Sequence, residues 1–195
     1  MPQSLDENYW TSRYLQNQTG WDVGEATTPL KQYLDQLWDL DMKILFPGAG
    51  NAYEAAYAYN KGFKNVHVLD ISKAPLDKFR KLYPRFPEDQ IHHEDFFLHQ
   101  GHYDLIIEQT FFCALTPNLR NDYVNKMTEL LLPGGKLVGV LFDVDFGRDQ
   151  PPFGGDREEY MACFDDKLKV KTMELCYNSI PPRAGFELFF IAINE

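Results

Sequence analysis

Cysteine is scarce in this chain, and long apolar runs are missing. Only three of the 195 residues are cysteines, Cys113, Cys163 and Cys176. Their odd number and wide spacing match neither a disulfide framework nor a zinc motif, which favours a reducing compartment. No apolar run approaches the roughly 18 residues of a membrane-spanning helix, and the polar N-terminus does not resemble a signal peptide. We therefore expect a cytoplasmic protein with no membrane partner.

Positive charge is also in short supply. The chain has 19 Lys and Arg residues against 29 Asp and Glu residues, which gives a formal net charge of −10. Nucleic acids and anionic membranes are bound through basic surfaces, so we expect neither as a partner. An apolar content of 44% and an aromatic content of 15% exclude a disordered chain. The length predicts a single domain over residues 1–195 with room for a sizeable core.

The stretch 43–54, KILFPGAGNAYE, predicts a buried strand that runs into a glycine turn and then a helix. Gly48 and Gly50 let the backbone turn sharply and approach a ligand with no Cβ in the way. Asp70 ends a second apolar run twenty residues after Gly50, and its carboxylate can accept hydrogen bonds from both hydroxyls of a ribose. The pattern indicates a nucleoside-binding βαβ unit, although an ordinary strand–turn–helix joint has the same outline.

Two absences narrow the choice of ligand. A dinucleotide fingerprint needs a third glycine at position 53, where this chain has Tyr53. There is also no Gly-Lys-Ser/Thr sequence of the kind that binds nucleoside triphosphates. A ligand with a ribose but no phosphate fits better, and S-adenosylmethionine is the common one. A nicotinamide-dependent oxidoreductase is the alternative that Tyr53 disfavours.

Apolar patterns along the chain predict an alternation of strands and helices, which means a doubly wound, mostly parallel, Rossmann-like sheet. The last two strands have no helix between them, so we expect an antiparallel hairpin at the C-terminal edge of a seven-stranded sheet. Strands are predicted over 43–46, 66–70, near Ile91, and over 103–108, 136–142, 169–175 and 186–193. Helices are predicted over 5–17, from Thr28 through Trp38, over 51–60, from Ser72 through Leu82, from Thr116 through Leu131, and over 156–164.

Apolar spacing also predicts which helix residues face the core. In the second helix these are Leu30, Tyr33, Leu34, Leu37 and Trp38, and in the fourth they are Leu76, Phe79 and Leu82. Segment 143–155 is rich in Pro, Gly and Asp, so we interpret it as a long loop with a lid or binding role.

Several polar residues fall where parallel strands end. Gly48, Asp70, Asp95 and the pair Glu108-Gln109 all follow predicted strands. Ligands of doubly wound sheets bind beyond the carboxyl ends of the strands, at the point where the strand order reverses. The convergence of these residues on one edge is stronger evidence for a site than any single motif.

The chain resembles class I methyltransferases in the order of its segments and in three motifs, PGAG at 47–50, LDIS at 69–72 and LPGG at 132–135. Narrower motifs resemble the thiopurine S-methyltransferase family, and especially its plant-type halide/thiol methyltransferase branch. They are Trp10-x-x-x-Tyr14, TGWD at 19–22, FFCAL at 111–115, PPF at 151–153 and IPPR-x-G at 180–185. The resemblance extends from about residue 9 to residue 190.

This resemblance implies an S-adenosylmethionine-dependent methyltransferase with a cofactor site built by nine residues. Within residues 1–24, the aromatic side chains of Trp10, Tyr14 and Trp21 would form a lid over the cofactor, and residues 25–195 would form the Rossmann-like core. Gly48, with Gly50 beside it, would contact the methionine part, and Asp70 would hold the ribose.

For the rest of the cofactor, the resemblance implies that Asp95 and Phe96 bind adenine and that Gln109 lies near the sulfonium. The chain departs from the family where Tyr14 replaces a usual tryptophan and where Gln109 replaces the tyrosine frequent in the halide/thiol branch. Phe153 and Arg183 are candidate substrate contacts.

Simpler interpretations stay open for several of these residues. Trp10 and Tyr14 are compatible with the core face of a helix, Asp95 with a loop or cap, and Arg183 with a solvated turn. Cys113 is expected to be a buried structural thiol, since no histidine adjoins it. We expect no metal site at His92 and His93, because neighbouring residues on a strand face opposite ways.

Methyl transfer from a sulfonium is an in-line displacement with a neutral leaving group, so alignment and exclusion of water carry the catalysis. A soft anion needs no strong general base, and no histidine is expected near Gln109. The sequence therefore favours an S-methyltransferase acting on a small thiol, thiolate or hydrosulfide. A halide, an O-acceptor or an N-acceptor is the alternative, as is a protein that binds the cofactor without turnover.

Overall fold

The computed structural model describes residues 4–165 and 167–195, and its centre is one seven-stranded sheet. The strand order is β3-β2-β1-β4-β5-β7-β6. The strands are β1 Lys43–Pro47, β2 Asn65–Asp70, β3 Ile91–His93, β4 Tyr103–Gln109, β5 Leu131–Phe142, β6 Lys169–Leu175 and β7 Glu187–Ile193. The helices are α1 Glu7–Leu15, α2 Thr28–Asp35, α3 Tyr53–Lys61, α4 Lys73–Leu82, α5 Arg120–Leu130 and α6 Arg157–Phe164.

The predicted doubly wound sheet with an antiparallel edge hairpin is confirmed. Strands β1 to β5 are parallel, and β7 lies antiparallel between β5 and β6. From β1 the chain builds outward through β2 to β3, then returns to place β4 on the other side of β1. The reversal of strand order therefore falls between β1 and β4, which is where such a sheet leaves a crevice for a ligand.

The central strands are buried on both faces, as their unbroken apolar runs predict. One face carries Ile44 and Val68 and packs against α2, α3 and α4. The opposite face carries Leu45, Leu69 and Ile106 and packs against α5 and α6. Among the described residues, no helix is both long and apolar enough to cross a membrane.

Two apolar residues predicted to face the core do not. Helix α2 ends at Asp35, where the backbone tightens into three-residue turns, so Trp38 leaves the helical face and is 89% exposed. Leu82, the last residue of α4, is 60% exposed because Phe86 returns along the chain and packs edge-to-face on Phe79 at 4.9 Å. In both cases the helix ends before its apolar pattern does.

Several other helix and strand boundaries differ from the predicted ones by a few residues. Thr27 occupies the N-cap position of α2 without a side-chain capping hydrogen bond. Helix α3 runs over Tyr53–Lys61 where residues 51–60 were predicted, and the left-handed Gly62 follows it. Helix α5 begins at Arg120 after a 3-10 turn over Pro117–Leu119. Strand β5 begins at Leu131, so the LPGG motif lies inside it.

The connection from β3 to β4, residues 94–102, contains no helix. Parallel strands are usually joined through a crossover helix, which covers one face of the sheet. This short connection leaves the sheet face beside β3 to be covered by the side chains of the strands and of the connection itself.

A buried carboxylate fixes the carboxyl end of β4. Glu108 is fully buried, and its Oε1 accepts hydrogen bonds from the backbone N–H groups of Phe111 at 2.8 Å and Phe112 at 3.0 Å. Its Oε2 accepts the Tyr123 hydroxyl at 2.7 Å. Burial raises the pKa of Glu108 to about 7 despite these donors. The carboxylate thus ties the strand end, the following turn and α5 together.

We predict that Glu108→Gln keeps this junction, because an amide can accept from the two backbone groups and donate to Tyr123. Between pH 4.5 and about 7, folded Glu108 holds a proton that the unfolded chain has released. The free energy of unfolding of the native protein therefore falls as pH rises through that window. The glutamine side chain of the variant does not titrate, so its free energy of unfolding does not fall in this window. The difference between variant and native protein should therefore shift in favour of the variant by on the order of 3 kcal/mol between pH 4.5 and 7.5, measured by chemical denaturation. The exposed Glu158→Gln is the control; an equal pH dependence in both variants would contradict the prediction.

Candidate functional site

A large cavity lies beyond the carboxyl ends of β1, β2 and β4, at the reversal of strand order. Its volume is about 1180 Å³, above the roughly 300–1,000 Å³ of most small-molecule sites. It is enclosed by α1 and the loop after it, the glycine turn after β1, the start of the 94–102 connection, the turn after β4 and part of segment 143–155. The cavity has room for a nucleoside-sized ligand and a small second molecule.

The glycine turn forms the floor of this cavity. Gly48 and Gly50 have φ values of +55° and +53°, in the left-handed region that favours glycine. A Cβ at Gly48 would overlap the Phe111 ring, and one at Gly50 would come within 2.5 Å of the Tyr14 hydroxyl oxygen. Both glycines are therefore required by backbone conformation and by the aromatic rings that pack on them.

Asp70 is held rigidly at the end of β2. Its Oδ2 accepts the Gly50 N–H at 2.8 Å and its Oδ1 accepts the Ser72 N–H at 2.7 Å. The side chain is buried, and burial raises the pKa of Asp70 to about 6, against the lowering effect of the two N–H groups. Each carboxylate oxygen keeps a further lone pair for a ligand hydroxyl. The geometry is that of a fixed, double hydrogen-bond acceptor lining the cavity.

Asp95 and Phe96 follow β3 at the same edge. Asp95 is half-buried, and its Oδ1 accepts the Phe97 N–H at 2.9 Å, which closes a local turn. Its Oδ2 has no hydrogen-bond partner among residues 4–165 and 167–195. The Phe96 ring is buried and packs on the Phe111 ring at a centroid distance of 5.1 Å. Asp95 is thus a turn residue that also presents a free carboxylate oxygen to the cavity.

The N-terminal aromatic residues cover the cavity as a cluster. The Trp21 ring packs edge-to-face on Trp10 at 5.5 Å and on Tyr14 at 5.8 Å. Burial raises the pKa of Tyr14, so its hydroxyl stays neutral. Trp10 and Tyr14 are partly buried against the cavity, while Tyr9 is the one α1 residue buried in the core. Residues 1–3 of the predicted cover lie outside the described residues.

Polar contacts attach this cover to the core. Arg183 donates from Nη2 to the Trp21 carbonyl oxygen at 2.8 Å. Asn51 donates to Asp22, and the Asn51 Oδ1 is buried without a partner among the described residues. Arg183 is only 8% exposed. Its interpretation as a solvated turn residue is therefore wrong, because the 3-10 turn over Pro181–Arg183 directs its guanidinium inward.

A further buried carboxylate, Glu54, lines the cavity. Its Oε1 accepts hydrogen bonds from the backbone N–H of Thr27 at 2.9 Å and from the Thr27 hydroxyl at 3.1 Å. Burial raises the pKa of Glu54, and the nearby Arg183 charge acts in the opposite direction. The Thr27 hydroxyl also lies 3.3 Å from Gln109 Oε1. Gln109 thus lines the cavity beside Thr27; the single hydroxyl proton of Thr27 can serve Glu54 or Gln109, but not both fully.

One predicted substrate residue does not reach the cavity. Phe153 is buried, and its N–H bonds the Cys113 carbonyl oxygen at 2.7 Å; the neighbouring Pro151 and Pro152 line the cavity in its place. Cys113 is buried at the cavity edge, and burial raises its pKa, as expected of a structural thiol. Phe153 supports the wall instead of contacting a ligand.

Sequence reasoning did not identify five cavity residues, which are Asp22, Thr27, Asn51, Glu54 and Phe111. Four of them, Asp22, Asn51, Glu54 and Phe111, stand inside stretches quoted above, but nothing in those stretches shows that Phe111 lies on Gly48. The pairing of Thr27 with Glu54 joins residues 27 positions apart, which no local pattern reveals.

The chain was compared with known protein families and curated proteins. The sequence model of the family "Thiopurine S-methyltransferase" matches residues 5–188. A protein of Arabidopsis thaliana named "Probable thiol methyltransferase 2" is 32% identical, over 91% of this chain and 81% of that protein. "Thiocyanate methyltransferase 1" of Brassica oleracea is 31% identical, over 96% of this chain and 85% of that protein.

Solved structures share the fold. A Burkholderia thailandensis 1,6-didemethyltoxoflavin-N1-methyltransferase with bound S-adenosylhomocysteine superposes with a TM-score of 0.78, at 17% identity, covering 96% of this chain and 86% of that chain. A magnesium protoporphyrin IX methyltransferase from Synechocystis with bound S-adenosylhomocysteine has a TM-score of 0.70 at 13% identity, covering 97% of each chain. At these identities the likeness concerns the fold, which is that of class I methyltransferases.

We predict that Gly50→Ala both destabilises the protein and displaces Tyr14 of the N-terminal aromatic cluster. A left-handed alanine costs roughly 1–2 kcal/mol, and its Cβ would displace the Tyr14 hydroxyl. Gly20→Ala is the matched control, since its Cβ would meet nothing within 4 Å and its φ is not positive; its effect should stay within about 0.5 kcal/mol. Urea denaturation measures both values. Equal stability of the two variants would show that the turn after β1 tolerates a side chain.

Proposed function

The chain belongs to the thiopurine S-methyltransferase family, and on that premise we propose that it transfers the methyl group of S-adenosylmethionine to a small thiol or hydrosulfide. It is an S-adenosylmethionine-dependent methyltransferase by family and by fold. The nature of the acceptor, and the role of each residue below, are our proposals.

The observation that carries the proposal is the Asp70 carboxylate, fixed by the Gly50 and Ser72 N–H groups at the edge of a nucleoside-sized cavity. A ribose offers two adjacent hydroxyls, and this carboxylate offers two oxygens with free lone pairs. Because both oxygens are already held by backbone donors, binding costs little side-chain entropy. We assign the ribose to Asp70.

The remaining parts of the cofactor follow from this anchor. Asp95 has a free Oδ2 for the exocyclic amine of adenine, and Phe96 and Ile71 border the same part of the cavity. The methionine part would lie along the turn of Gly48 and Gly50, where the missing Cβ atoms allow close approach. The sulfonium would then lie toward Gln109.

The acceptor side of the cavity suits a soft anion. The lining residues among those described include no histidine that could serve as a general base. Arg183 lines the cavity and is almost fully buried, and its charge partly offsets the rise in the pKa of Glu54 that burial causes. A thiolate needs no base at the moment of transfer, and a buried guanidinium favours an anionic nucleophile. Cys113 is not part of the transfer, since burial keeps its thiol protonated.

We further propose that the cover of residues 1–24 closes over the bound cofactor. Few apolar contacts hold α1, in which Tyr9 is the buried residue. Exposed or half-buried polar pairs hold the rest, such as Thr11 with Ser72 at 2.8 Å and Glu7 with His93 at 3.0 Å. Closure would bring the Trp21 and Tyr14 rings toward a sulfonium and exclude water from the reaction.

We also place the protein in the cytoplasm, because Cys113, Cys163 and Cys176 are all free thiols and because a thiolate acceptor survives in a reducing compartment.

The function is tested by incubating the protein with labelled S-adenosylmethionine and a panel of hydrosulfide, thiocyanate, aromatic thiols, iodide and a phenol. We expect methylation of the sulfur acceptors above all others. In calorimetry, Asp70→Ala should bind S-adenosylhomocysteine about 100-fold more weakly, or about 2–3 kcal/mol, through loss of a charge-assisted ribose contact. The exposed Asp122→Ala is the control.

Two outcomes would overturn parts of this assignment. Faster methylation of the phenol than of every sulfur acceptor would reject the thiol assignment. An unchanged dissociation constant in a folded Asp70→Ala variant would show that the ribose binds elsewhere.

Hydrogen exchange tests the cover. The amides of residues 9–24 should gain protection when S-adenosylhomocysteine binds, while those of α5 serve as an internal reference and stay unchanged. Trp21→Ala should then lose more activity than stability. If residues 9–24 are equally protected with and without ligand, the aromatic cluster is a permanent part of the core.

A further inference from the structure

Three of the five histidines of the chain meet on one face of the sheet. His67 lies on β2, His92 on β3, and His99 in the 94–102 connection that contains no helix. The His67 and His92 rings stack with an interplanar angle of 6°, and the His92 and His99 rings are 4.8 Å apart. None of these rings lines the large cavity. Polar rings thus cover the part of the sheet that a crossover helix would otherwise cover.

A carboxylate completes this group. His99 Nδ1 lies 2.6 Å from Glu94 Oε1, and one ligand atom each from His92, Glu94 and His99 all lie within 4.8 Å of one another. Sequence reasoning judged His92 and His93 unable to share an ion, and their side chains do point apart: His93 Nε2 contacts Glu7 and the Ile71 carbonyl oxygen. The partners of His92 come instead from distant parts of the chain.

We propose that His92, Glu94 and His99 bind a divalent transition-metal ion of the zinc type, with water as the fourth ligand. Two imidazoles and a carboxylate with an open fourth position form a donor set suited to Zn²⁺. Ligand atoms of a tetrahedral zinc site stand roughly 3.3 Å apart at bond lengths near 2.0–2.1 Å. The hydrogen bond from His99 to Glu94 would therefore open by some tenths of an ångström, and the His92 ring would move inward.

A positive charge lies near this group. The Lys43 Nζ lies over the Tyr103 ring, 4.7 Å from its centroid, and Tyr103 in turn contacts His99. Glu94 supplies a negative charge that offsets it.

Outer contacts would orient the ligands. His99 Nε2 lies 2.7 Å from the buried Tyr103 hydroxyl, so His99 can donate there while Nδ1 faces the ion. His92 Nε2 lies 2.9 Å from His67 Nδ1, which can accept its proton and leave the other His92 nitrogen free. Metal-bound histidines usually have such a partner on the second nitrogen.

The proposed ion would brace the 94–102 connection against β3. Glu94 is 41% exposed and gives access from solvent, whereas His99 is 2% exposed and anchors the far end. The ion would therefore join the first and middle parts of a connection that has no helix to stabilise it. This role does not depend on the methyl acceptor.

The test is Zn²⁺ binding to the full-length, metal-stripped protein at pH 7.5 in a non-chelating buffer, followed by calorimetry and thermal melting. We expect one ion per chain and a melting temperature higher by roughly 5 °C or more at saturation. Co²⁺ should give the visible absorption of a four-coordinate site with nitrogen and oxygen ligands, without the thiolate charge-transfer band of cysteine ligation.

Variants separate this site from unspecific binding. Glu94→Gln, at the exposed end, and His92→Gln should each weaken binding by more than the roughly 10–100-fold that outer-contact changes cause, and Tyr103→Phe should fall within that range. The exposed His102→Ala is the matched control and should bind like the native chain. Circular dichroism verifies that each variant is folded. No binding below about 100 μM, or equal binding by the Glu94, His92 and His102 variants, would overturn the proposal.

Discussion

The backbone turn after β1 places an amide against a carboxylate, and the geometry of the cavity depends on that contact. Gly50 can donate to Asp70 because the turn enters left-handed conformations at Gly48 and Gly50. The Ala49 N–H bonds the Leu69 carbonyl oxygen at 3.0 Å, which continues the pairing of β1 with β2 into the turn. Neighbouring parallel strands thus end in register, and the distance between the Asp70 carboxylate and the turn of Gly48 and Gly50 is fixed.

Two buried carboxylates, Asp70 and Glu54, line the cavity, and a third, Glu108, is buried at the carboxyl end of β4. Asp70, Glu54 and Glu108 are each held by backbone N–H groups, and burial raises the pKa of each. Arg183 is the buried positive charge on the same cavity. When ionised, Asp70 and Glu54 place negative charge on the cavity wall, which favours a cationic ligand over a neutral one.

Much of the fold was readable because its signals are local. Unbroken apolar runs predict β1, β2 and β4, and Gly62 marks the end of α3 through its own backbone conformation. The sequence also placed Gly48, Asp70 and Asp95 at one edge, because parallel strands end together. Predictions from the sequence were wrong where tertiary packing determines the position of a side chain. Trp38 and Leu82 continue the apolar pattern of their helices but are exposed, because the helices end first. Phe153 is buried behind the cavity instead of lining it.

Long-range pairs explain the rest. The local sequence of Arg183 is compatible with a solvated turn residue. In the fold its guanidinium contacts the carbonyl oxygen of Trp21, which is 162 positions away in the chain. Glu54 meets Thr27, and His92 meets His67 and His99, across separations that no periodicity encodes. Most buried polar side chains have hydrogen-bond partners, and in these pairs the partners are distant in sequence. Their roles therefore depend on the completed fold and not on their neighbours in sequence.

The 94–102 connection links the two sites that the structure suggests. Its first residues, Glu94 to Phe97, line the large cavity, and Glu94 also belongs with His99 to the histidine group. Turn hydrogen bonds within residues 95–99 and the buried Phe96 and His99 make the middle of this connection one local unit. Any ligand that fixes Glu94 and His99 therefore also restricts Asp95, which lies between them. Because binding free energies are reciprocal, an ion at the histidines and a nucleoside at Asp95 would each raise the affinity for the other if both favour the same placement of this segment.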